Sequence, residues 1–525
     1  MNAHQAGLPQ AERQPFSGEN EGLALLARFQ DQIESQLCCF DRMILQGTLV
    51  DVCHPGALIQ ELRAAGLSAA ELTMFSKPLA EEIRANAQAL AQAHGVKLEP
   101  AHVHQFRKED RVAEILAARG RHPGLVCIFW AKERATVYDT KTNPETGHIF
   151  VYKRSGCCVH YYFYFLHERL GLIYVRVPTW LPLRLQVYLN GHSLLAQQLA
   201  AAGSGCELID NAFVSFAEPE RAQALSDGLE AQALRTELDA LARLCCPAST
   251  RFRNGYHWSF MQVEYAWDIV FKDPAILEAL FEEIAREAVR TLQAEDFGRF
   301  LSKRLPPNAD TAISSHLGRR VRGLRLRHQW GPAALKLYTK HHRVLRLECT
   351  TNDVTFFHHH REVVHRDGSK EYKVAAMKKG LFSLRVLRQA MRAALRRYLT
   401  WLSTLTERTV GRVRVDQLGR AARDQAQRSH RGWNLFQPKD RQLLCAVARG
   451  EFAAAGVSHR RLRAILSEWR PSQISRALKR LRVHGLLRKI GRTYRYYLTK
   501  LGRALILTAL QLQEQIVVTT LAAHA

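Results

Sequence analysis

The chain has 525 residues, of which 47% are hydrophobic, 24% are charged and 11 are cysteines. A single hydrophobic core stops growing near ~250–300 residues, so this length predicts several domains, and the composition excludes a wholly disordered or fibrous protein. No two cysteines have CxxC spacing, and we expect reduced thiols in a cytoplasmic protein.

Positive charge is concentrated in the C-terminal part of the chain. Residues 301–525 hold 46 lysines and arginines against 13 acids, a net charge of +33, whereas residues 1–300 hold 29 against 36, a net charge of −7. A positive field of this size attracts polyanions, and release of counterions from a phosphate backbone contributes affinity without sequence recognition. We therefore expect a nucleic acid as the partner.

The apolar segments are shorter than the ~20 residues that a membrane-spanning helix needs. The longest C-terminal candidate, residues 504–523, is interrupted by Gln511, Gln513 and Glu514. Residues 1–21 are polar and lack the apolar core of a signal peptide, which predicts a loose tail. We expect no membrane partner, while the oligomeric state stays open.

Helical and strand patterns alternate in the first part of the chain. Residues 22–120 combine helical periodicity with short apolar runs, which predicts a small α/β or α+β unit. Residues 121–217 contain aromatic runs such as VHYYFYF, typical of a hairpin sheet, followed by a helix. Because aromatic side chains fall on both faces of this hairpin, it is either a platform for single-stranded bases or, as we expect, a sheet buried on both sides.

The middle of the chain predicts a helical scaffold at 218–318, followed by a basic region at 319–407. Within the scaffold, Glu264 and Asp268 would share one helix face. The basic region predicts an antiparallel sheet and then a long helix over 381–405. Basic side chains recur along that helix at Arg385, Arg388, Arg392, Arg396 and Arg397.

Alternation within the basic sheet places apolar side chains on one face and polar ones on the other, if its strands pair in chain order. The polar face can hold a phosphate backbone while an aromatic ring stacks on a base. The alternative is an ordinary solvated sheet surface. The candidate nucleic-acid-binding residues of this sheet are Arg325, Arg327, Lys336, Tyr338, Lys340 and Arg346.

After a polar linker at 408–437, residues 438–525 show three helical patterns and then a hairpin pattern around Gly491. The third helical pattern has an apolar face and a second face of residue types that contact phosphates and base edges. We predict that nucleic acid binds the second face and the hairpin. The candidate residues are Ser472, Gln473, Arg476, Lys479, Arg480, Lys489, Arg492 and Arg495.

This order of elements, closed by GLLRKIGRTYRYYLTKLGRAL, resembles the winged-helix domains of MarR-like bacterial regulators. The resemblance implies a recognition helix at 471–484 and a wing at 488–495. Stretches such as HYYFYF and YHWSFMQVEYAWDIVF also resemble long uncharacterised bacterial proteins that end in a winged helix, which implies no activity. The predicted fold is thus α+β and multidomain, with mixed sheet and helix N-terminal and central domains followed by a C-terminal winged helix-turn-helix.

Signs of catalysis are weak in the sequence. The phosphate-binding GxxxxGK[ST] motif is absent, and so are the GxGxxG, HExxH and GxSxG motifs of other enzyme classes. We therefore predict no cofactor and no metal, and we lean against an enzyme. The histidines at 358–360 invite comparison with metal sites of replication initiators, but the next tyrosine, Tyr372, is expected on a strand. The acids Glu264, Asp268, Glu348 and Asp353 are nuclease candidates by residue type alone.

The sequence therefore predicts a protein that binds nucleic acid, with duplex DNA favoured and RNA as an alternative ligand. Two other functions stay open. One is an enzyme that nicks or processes nucleic acid, and the other is an RNA-binding component of a ribonucleoprotein.

Overall fold

The computed structural model describes residues 24–101, 106–304, 313–320, 323–434, 437–449, 451–452, 456–491 and 493–512. The polar segment 1–21 and Arg492, both named above, lie outside this part of the chain. Two compact units are distinguished, an N-terminal unit over Met1–Leu405 and a C-terminal unit over Thr406–Ala525.

The described strands of the N-terminal unit are, in chain order, β1 (Ile33–Leu49), β2 (Leu98–Pro100), β3 (Gly124–Thr142), β4 (Ile149–His167), β5 (Gly171–Pro178), β6 (Leu185–Asn190), β7 (Cys206–Ile209), β8 (Ala212–Phe216), β9 (Tyr256–Phe271), β10 (Ile313–Arg320), β11 (Gly323–Trp330), β12 (Ala333–Lys340), β13 (Val344–Thr351), β14 (His358–Val364) and β15 (Lys370–Ala376).

The described α-helices of this unit are α1 (Ala24–Arg28), α2 (Pro55–Ala64), α3 (Leu72–Ala93), α4 (Lys108–Arg119), α5 (Gly191–Ala201), α6 (Pro219–Asp227), α7 (Ala231–Cys245), α8 (Pro274–Thr291), α9 (Ala294–Phe300) and α10 (Leu384–Gly419). Pro55, Pro219 and Pro274 lie in first helical turns, where the missing N–H costs no hydrogen bond.

Eleven strands form one large sheet in the order β10-β11-β12-β13-β9-β1-β6-β5-β4-β3-β2. Neighbouring strands are antiparallel except β2 and β3, which are parallel. The aromatic hairpin and the basic strands were predicted in separate domains, whereas β1 and β9 join them into this single sheet. Hydrogen bonding between distant segments, which no local pattern reports, makes that connection.

Strand β9 replaces a predicted helix. Its residues alternate little in burial because the strand lies near the middle of the sheet, with side chains covered on both faces. A continuous apolar run cannot by itself distinguish a buried strand from a buried helix. Glu264 and Asp268 nevertheless share a face, since residues i and i+4 also lie on one side of a strand.

The two faces of the sheet differ in chemistry. One face packs against α3, α7, α8, α9 and α10 in the main hydrophobic core. The opposite face is covered at one end by α4 and near its middle by α5, α6 and the β7–β8 hairpin. The aromatic residues 161–165 of β4 are buried on both sides, which confirms the prediction that this hairpin belongs to the core.

The described elements of the C-terminal unit include the end of α10, which extends to Gly419, twelve residues into the segment predicted as a linker from 408. The strands β16 (Ala422–Arg423), β17 (Ser429–His430), β18 (Val457–Ser458), β19 (Leu487–Lys489) and β20 (Arg495–Leu498) form two small sheets, one of them in the order β18-β20-β19. The helices that follow α10 are α11 (Pro438–Val447), α12 (His459–Ile465), α13 (Pro471–Val483) and α14 (Lys500–Leu512).

Helices occur over all three segments of this unit that have helical patterns. The side chain of Ser458 accepts a hydrogen bond from the Arg461 N–H, as expected of an N-cap. The apolar residues Ile474, Ala477, Leu478 and Leu481 of α13 face the core of the unit. Across the described residues of both units, none of the helices has the length and apolar character required to cross a membrane.

Candidate functional site

A buried charge network lies on the polar face of the large sheet, around Arg346 of β13. The guanidinium is fully buried and donates two hydrogen bonds of 2.6 Å to the carboxylate of Asp268 on β9. It also lies 3.3 Å from Asp41 on β1 and donates to the backbone carbonyl of Asn211. A buried guanidinium is stable only when its donors are satisfied, and these partners satisfy them.

His192 extends this network at the start of α5. Its two ring nitrogens lie 3.0 Å from Asp41 and 3.1 Å from Asp268, and the ring is fully buried. Burial by itself would raise the pKa of each carboxyl, but Arg346 and His192 hold both pKa values below their usual range. Asp41 and Asp268 are therefore ionised at neutral pH.

A second group of charges surrounds Lys336 of β12. Its ammonium lies 3.5 Å from Glu264 on β9 and forms a short contact with Glu348 on β13. The hydroxyl of Tyr338 donates to Glu348 at 2.6 Å. Burial and the nearby Glu348 raise the pKa of Glu264 above its ordinary value, although Lys336 opposes the shift.

The side chains around Lys336 line a cavity of about 450 Å³ on the polar face of the sheet. Carboxylate oxygens of Asp41, Glu264 and Glu348 lie within 4.8 Å of one another, a spacing at which three acids can hold one metal ion. Lys340 lines the same cavity, and burial, with the charge of Arg346, lowers its pKa to about 8. The other lysines and arginines of the lining are Arg42, Arg325 and Lys336.

The cavity changes the interpretation of the predicted basic sheet face. Strand pairing places Arg325 beside Tyr338 and Arg327 beside Lys336, so the predicted alternation is confirmed. The neighbouring strands add Glu348, Glu264 and Asp268 to this face, and carboxylates pair with Lys336 and Arg346. The prediction that Arg346 contacts a phosphate backbone is corrected, because its guanidinium is buried between Asp41 and Asp268.

Sequence reasoning missed Asp41 and His192. Asp41 follows the apolar run LCCF and precedes Arg42 in the long strand β1, and a charged pair inside an apolar strand was the available signal. It lies at an irregularity of the β1–β9 pairing, between Phe40 and Arg42, and its carboxylate lies 3.3 Å from Arg346. His192 occurs in the segment NGH at the start of α5, and its local sequence does not indicate that two acids distant in the chain lie against it.

The other acids and bases singled out from the sequence lie elsewhere. Asp353 caps a short helical turn by accepting from the Thr355 N–H. The histidines 358–360 lie on β14, with Tyr372 on β15, as expected for that tyrosine. On α10, Arg388 and Arg392 contact Asp227 and Arg397 donates to the carbonyl of Phe300, so the basic stripe is partly used inside the unit.

In the C-terminal unit, the prediction that Arg480 of α13 binds nucleic acid is also corrected. The residue is 9% exposed, and its guanidinium donates to both oxygens of Asp440 at 2.9 and 2.8 Å and lies 3.6 Å from the centre of the Trp433 ring. It also donates to the carbonyl of Arg431. Arg480 therefore joins α11 and α13 to the segment before them and is withdrawn from the exposed face of the helix.

The exposed face of α13 carries a smaller set of the predicted residues. Ser472 and Arg476 are exposed, and Arg482 continues this surface. The ammonium of Lys479 lies 2.5 Å from Asp424, so part of its charge is neutralised locally. The Gln473 side chain accepts from the backbone N–H of Arg470 and caps the helix.

The β19–β20 hairpin presents a basic tip with one exposed aromatic residue. Tyr494 is 81% exposed, and the ammonium of Lys489 lies 5.5 Å from the centre of its ring. Arg488 and Arg495 are exposed on the two strands. Across residues 406–525 the sequence holds 24 lysines and arginines against 7 acids, so this unit as a whole is strongly cationic.

Comparison with known proteins adds no relative. No protein-family model, curated protein or solved structure matches the chain.

Proposed function

We propose that the protein binds duplex DNA through its C-terminal unit, which acts as a winged helix with α13 as the recognition helix and the β19–β20 hairpin as the wing. The observation that carries this proposal is the division of α13 into an apolar face within the core and an exposed face with Ser472, Arg476 and Arg482. Exposed arginines on such a face suit the phosphates and base edges of a major groove.

Two further features support the proposal. The order helix, strand, two helices and two strands from α11 to β20 is the one expected of a winged helix. The excess of cations in this unit supplies affinity for the phosphate backbone, and Tyr494 with Lys489 gives the hairpin a tip suited to an adjacent groove.

The test compares duplex binding by the full chain and by Arg476→Ala combined with Arg495→Ala. We expect the dissociation constant to rise by about tenfold or more. The salt dependence should also become shallower, because a variant with fewer phosphate contacts releases fewer counterions when it binds. The measurement is fluorescence anisotropy with a labelled duplex at several salt concentrations. Arg243→Ala, an exposed arginine on α7, is the matched control.

Unchanged duplex binding by the double variant would contradict the assignment of α13 and the hairpin. A parallel titration with an RNA duplex of the same sequence separates the two nucleic acids. Tighter binding of RNA than of DNA would favour the ribonucleoprotein alternative.

A second candidate function, metal-dependent cleavage of a phosphodiester, rests on the acid-lined cavity of the N-terminal unit. Asp41, Glu264 and Glu348 are placed to hold a divalent cation, and Arg42, Arg325 and Lys340 line the same cavity with charges suited to a phosphate. The ammonium of Lys336 lies between Glu264 and Glu348, so a cation bound by these acids would have to displace it.

In such a hydrolysis a water oxygen forms a bond to phosphorus, and the bond from phosphorus to the leaving oxygen breaks. The water loses a proton and the leaving oxygen gains one. This candidate corresponds to the processing enzyme that the sequence left open.

Incubation of the full chain with single-stranded and duplex DNA in Mg²⁺ or Mn²⁺ tests this function. We expect cleavage that falls about a hundredfold or more in Glu264→Gln and Glu348→Gln, because each change removes a charged metal ligand. Glu220→Gln, an exposed acid on α6, is the control. Absence of any cleaved product from the unsubstituted protein would count against the candidate, and so would cleavage that both variants retain.

A further inference from the structure

The strands β14 and β15 form a two-stranded ribbon between β13 and α10. Seven residue pairs join them, from His358 with Ala376 to Val364 with Lys370, and they constitute a sheet of their own. At about 3.4 Å per residue, seven-residue strands give a ribbon on the order of 20 Å long. An isolated hairpin of this size is marginally stable in water, so its exposure suggests a binding role.

One face of this ribbon carries exposed apolar side chains beside the ion pair of Glu362 and Lys370. Tyr372, Val374 and Val364 are 73%, 56% and 57% exposed, and alternation along the strands places all three on the same side as His360. The rings of His360 and Tyr372 stack at a centroid distance of 6.1 Å. Exposed apolar side chains arranged in this way mark interaction surfaces more often than singly scattered ones.

The charges of the ribbon favour a polyanion as the occupant of that face. Residues 358–379 contain six lysines and arginines, four histidines and three acids. Two of the acids are neutralised within the ribbon, Glu362 by Lys370 at 3.2 Å and Glu371 by Lys373 at 2.6 Å. Arg366 is exposed at the turn and Lys378 is exposed at the base, so cations mark both ends of the ribbon.

We propose that the β14–β15 ribbon inserts into the major groove of duplex DNA. The major groove of B-form DNA, about 12 Å wide, admits a two-stranded β-ribbon, whereas the deep and narrow major groove of A-form RNA does not. Tyr372 and Val374 would then contact base edges and thymine methyl groups, and Arg366 with Lys378 would contact the flanking phosphates. The inference takes its ligand from the proposed function but uses residues of the N-terminal unit.

The ribbon is tested in the full chain with Arg366→Glu combined with Tyr372→Ser, two exposed positions where substitution leaves the core intact. We expect the dissociation constant for a 30-base-pair duplex to rise about tenfold, measured by anisotropy as the salt concentration is varied. Arg243→Glu is the charge-matched control. Chemical methylation of guanine N7, which the major groove exposes, locates the contact on the DNA.

The footprint makes failure of the ribbon distinguishable from failure of the recognition helix. We expect the ribbon variant to lose one protected stretch of guanines and Arg476→Ala to lose a different one. Loss with the ribbon variant alone would support the ribbon and overturn α13 as the recognition helix. Unchanged affinity and protection in the ribbon variant would overturn the inference. If the variant lost affinity for an RNA duplex as strongly as for DNA, the assignment of the ribbon to the major groove would be wrong.

Discussion

Replacement of Arg346 by methionine is expected to lower the free energy of unfolding of the N-terminal unit by about 3–5 kcal/mol, the usual cost of breaking a buried ion pair from one side. The substitution leaves Asp41 and Asp268 buried without their main cation. Methionine fills a similar volume, so the loss reports charge and hydrogen bonding more than an empty cavity. Calorimetry of the full chain measures it as a lower unfolding temperature of this unit.

Arg343→Met is the matched control for this prediction. Arg343 is about one third exposed and contacts Glu34 at the surface, where an ion pair contributes at most about 1 kcal/mol. A small effect of Arg343→Met beside a large effect of Arg346→Met would distinguish a buried network from a surface one. Equal and small effects would mean that Arg346 does not stabilise the sheet.

Replacement of Arg480 by methionine is expected to destabilise the C-terminal unit by about 3–5 kcal/mol, for the same physical reason. The change leaves Asp440, which is 1% exposed, without the bidentate guanidinium and removes the cation that lies over the Trp433 ring. Hydrogen exchange of the α13 amides measures the local stability. Faster exchange should extend through α11, α13 and the segment around Trp433.

Arg476→Met is the control that separates stability from binding. Arg476 lies one helical turn before Arg480 but is exposed, so its loss should weaken duplex binding and leave hydrogen exchange unchanged. Normal exchange together with weakened DNA binding in Arg480→Met would return Arg480 to the nucleic-acid-binding surface that the sequence predicted for it.

Local patterns predicted much of the secondary structure. The three helical segments of the C-terminal unit, the helix over 381–405 and the basic strands between 323 and 351 all depend on periodicity and end signals carried by neighbouring residues. The aromatic hairpin was also assigned correctly to the core, because large rings on both faces of a strand are rarely left in water.

Strand β9 shows where such patterns fail. The segment YHWSFMQVEYAWDIVF is apolar with little alternation, and the acids Glu264 and Asp268 occur at a spacing that suits one face of a helix or of a strand. Its pairing with β1 and β13 decided the conformation. That pairing joins segments more than 70 residues apart, so no local preference could report it.

The amino-acid sequence by itself determined the strong charge asymmetry, the helical and strand periods, and the apolar face of α13, because each depends on residue type and short spacing. Tertiary structure decided which charged side chains are exposed and which are internal. Arg346 and Arg480 became internal because acids distant in sequence, Asp41, Asp268 and Asp440, lie against them. The acid-lined cavity arose in the same way, since burial and Coulomb energy depend on distances in the folded chain and not along it.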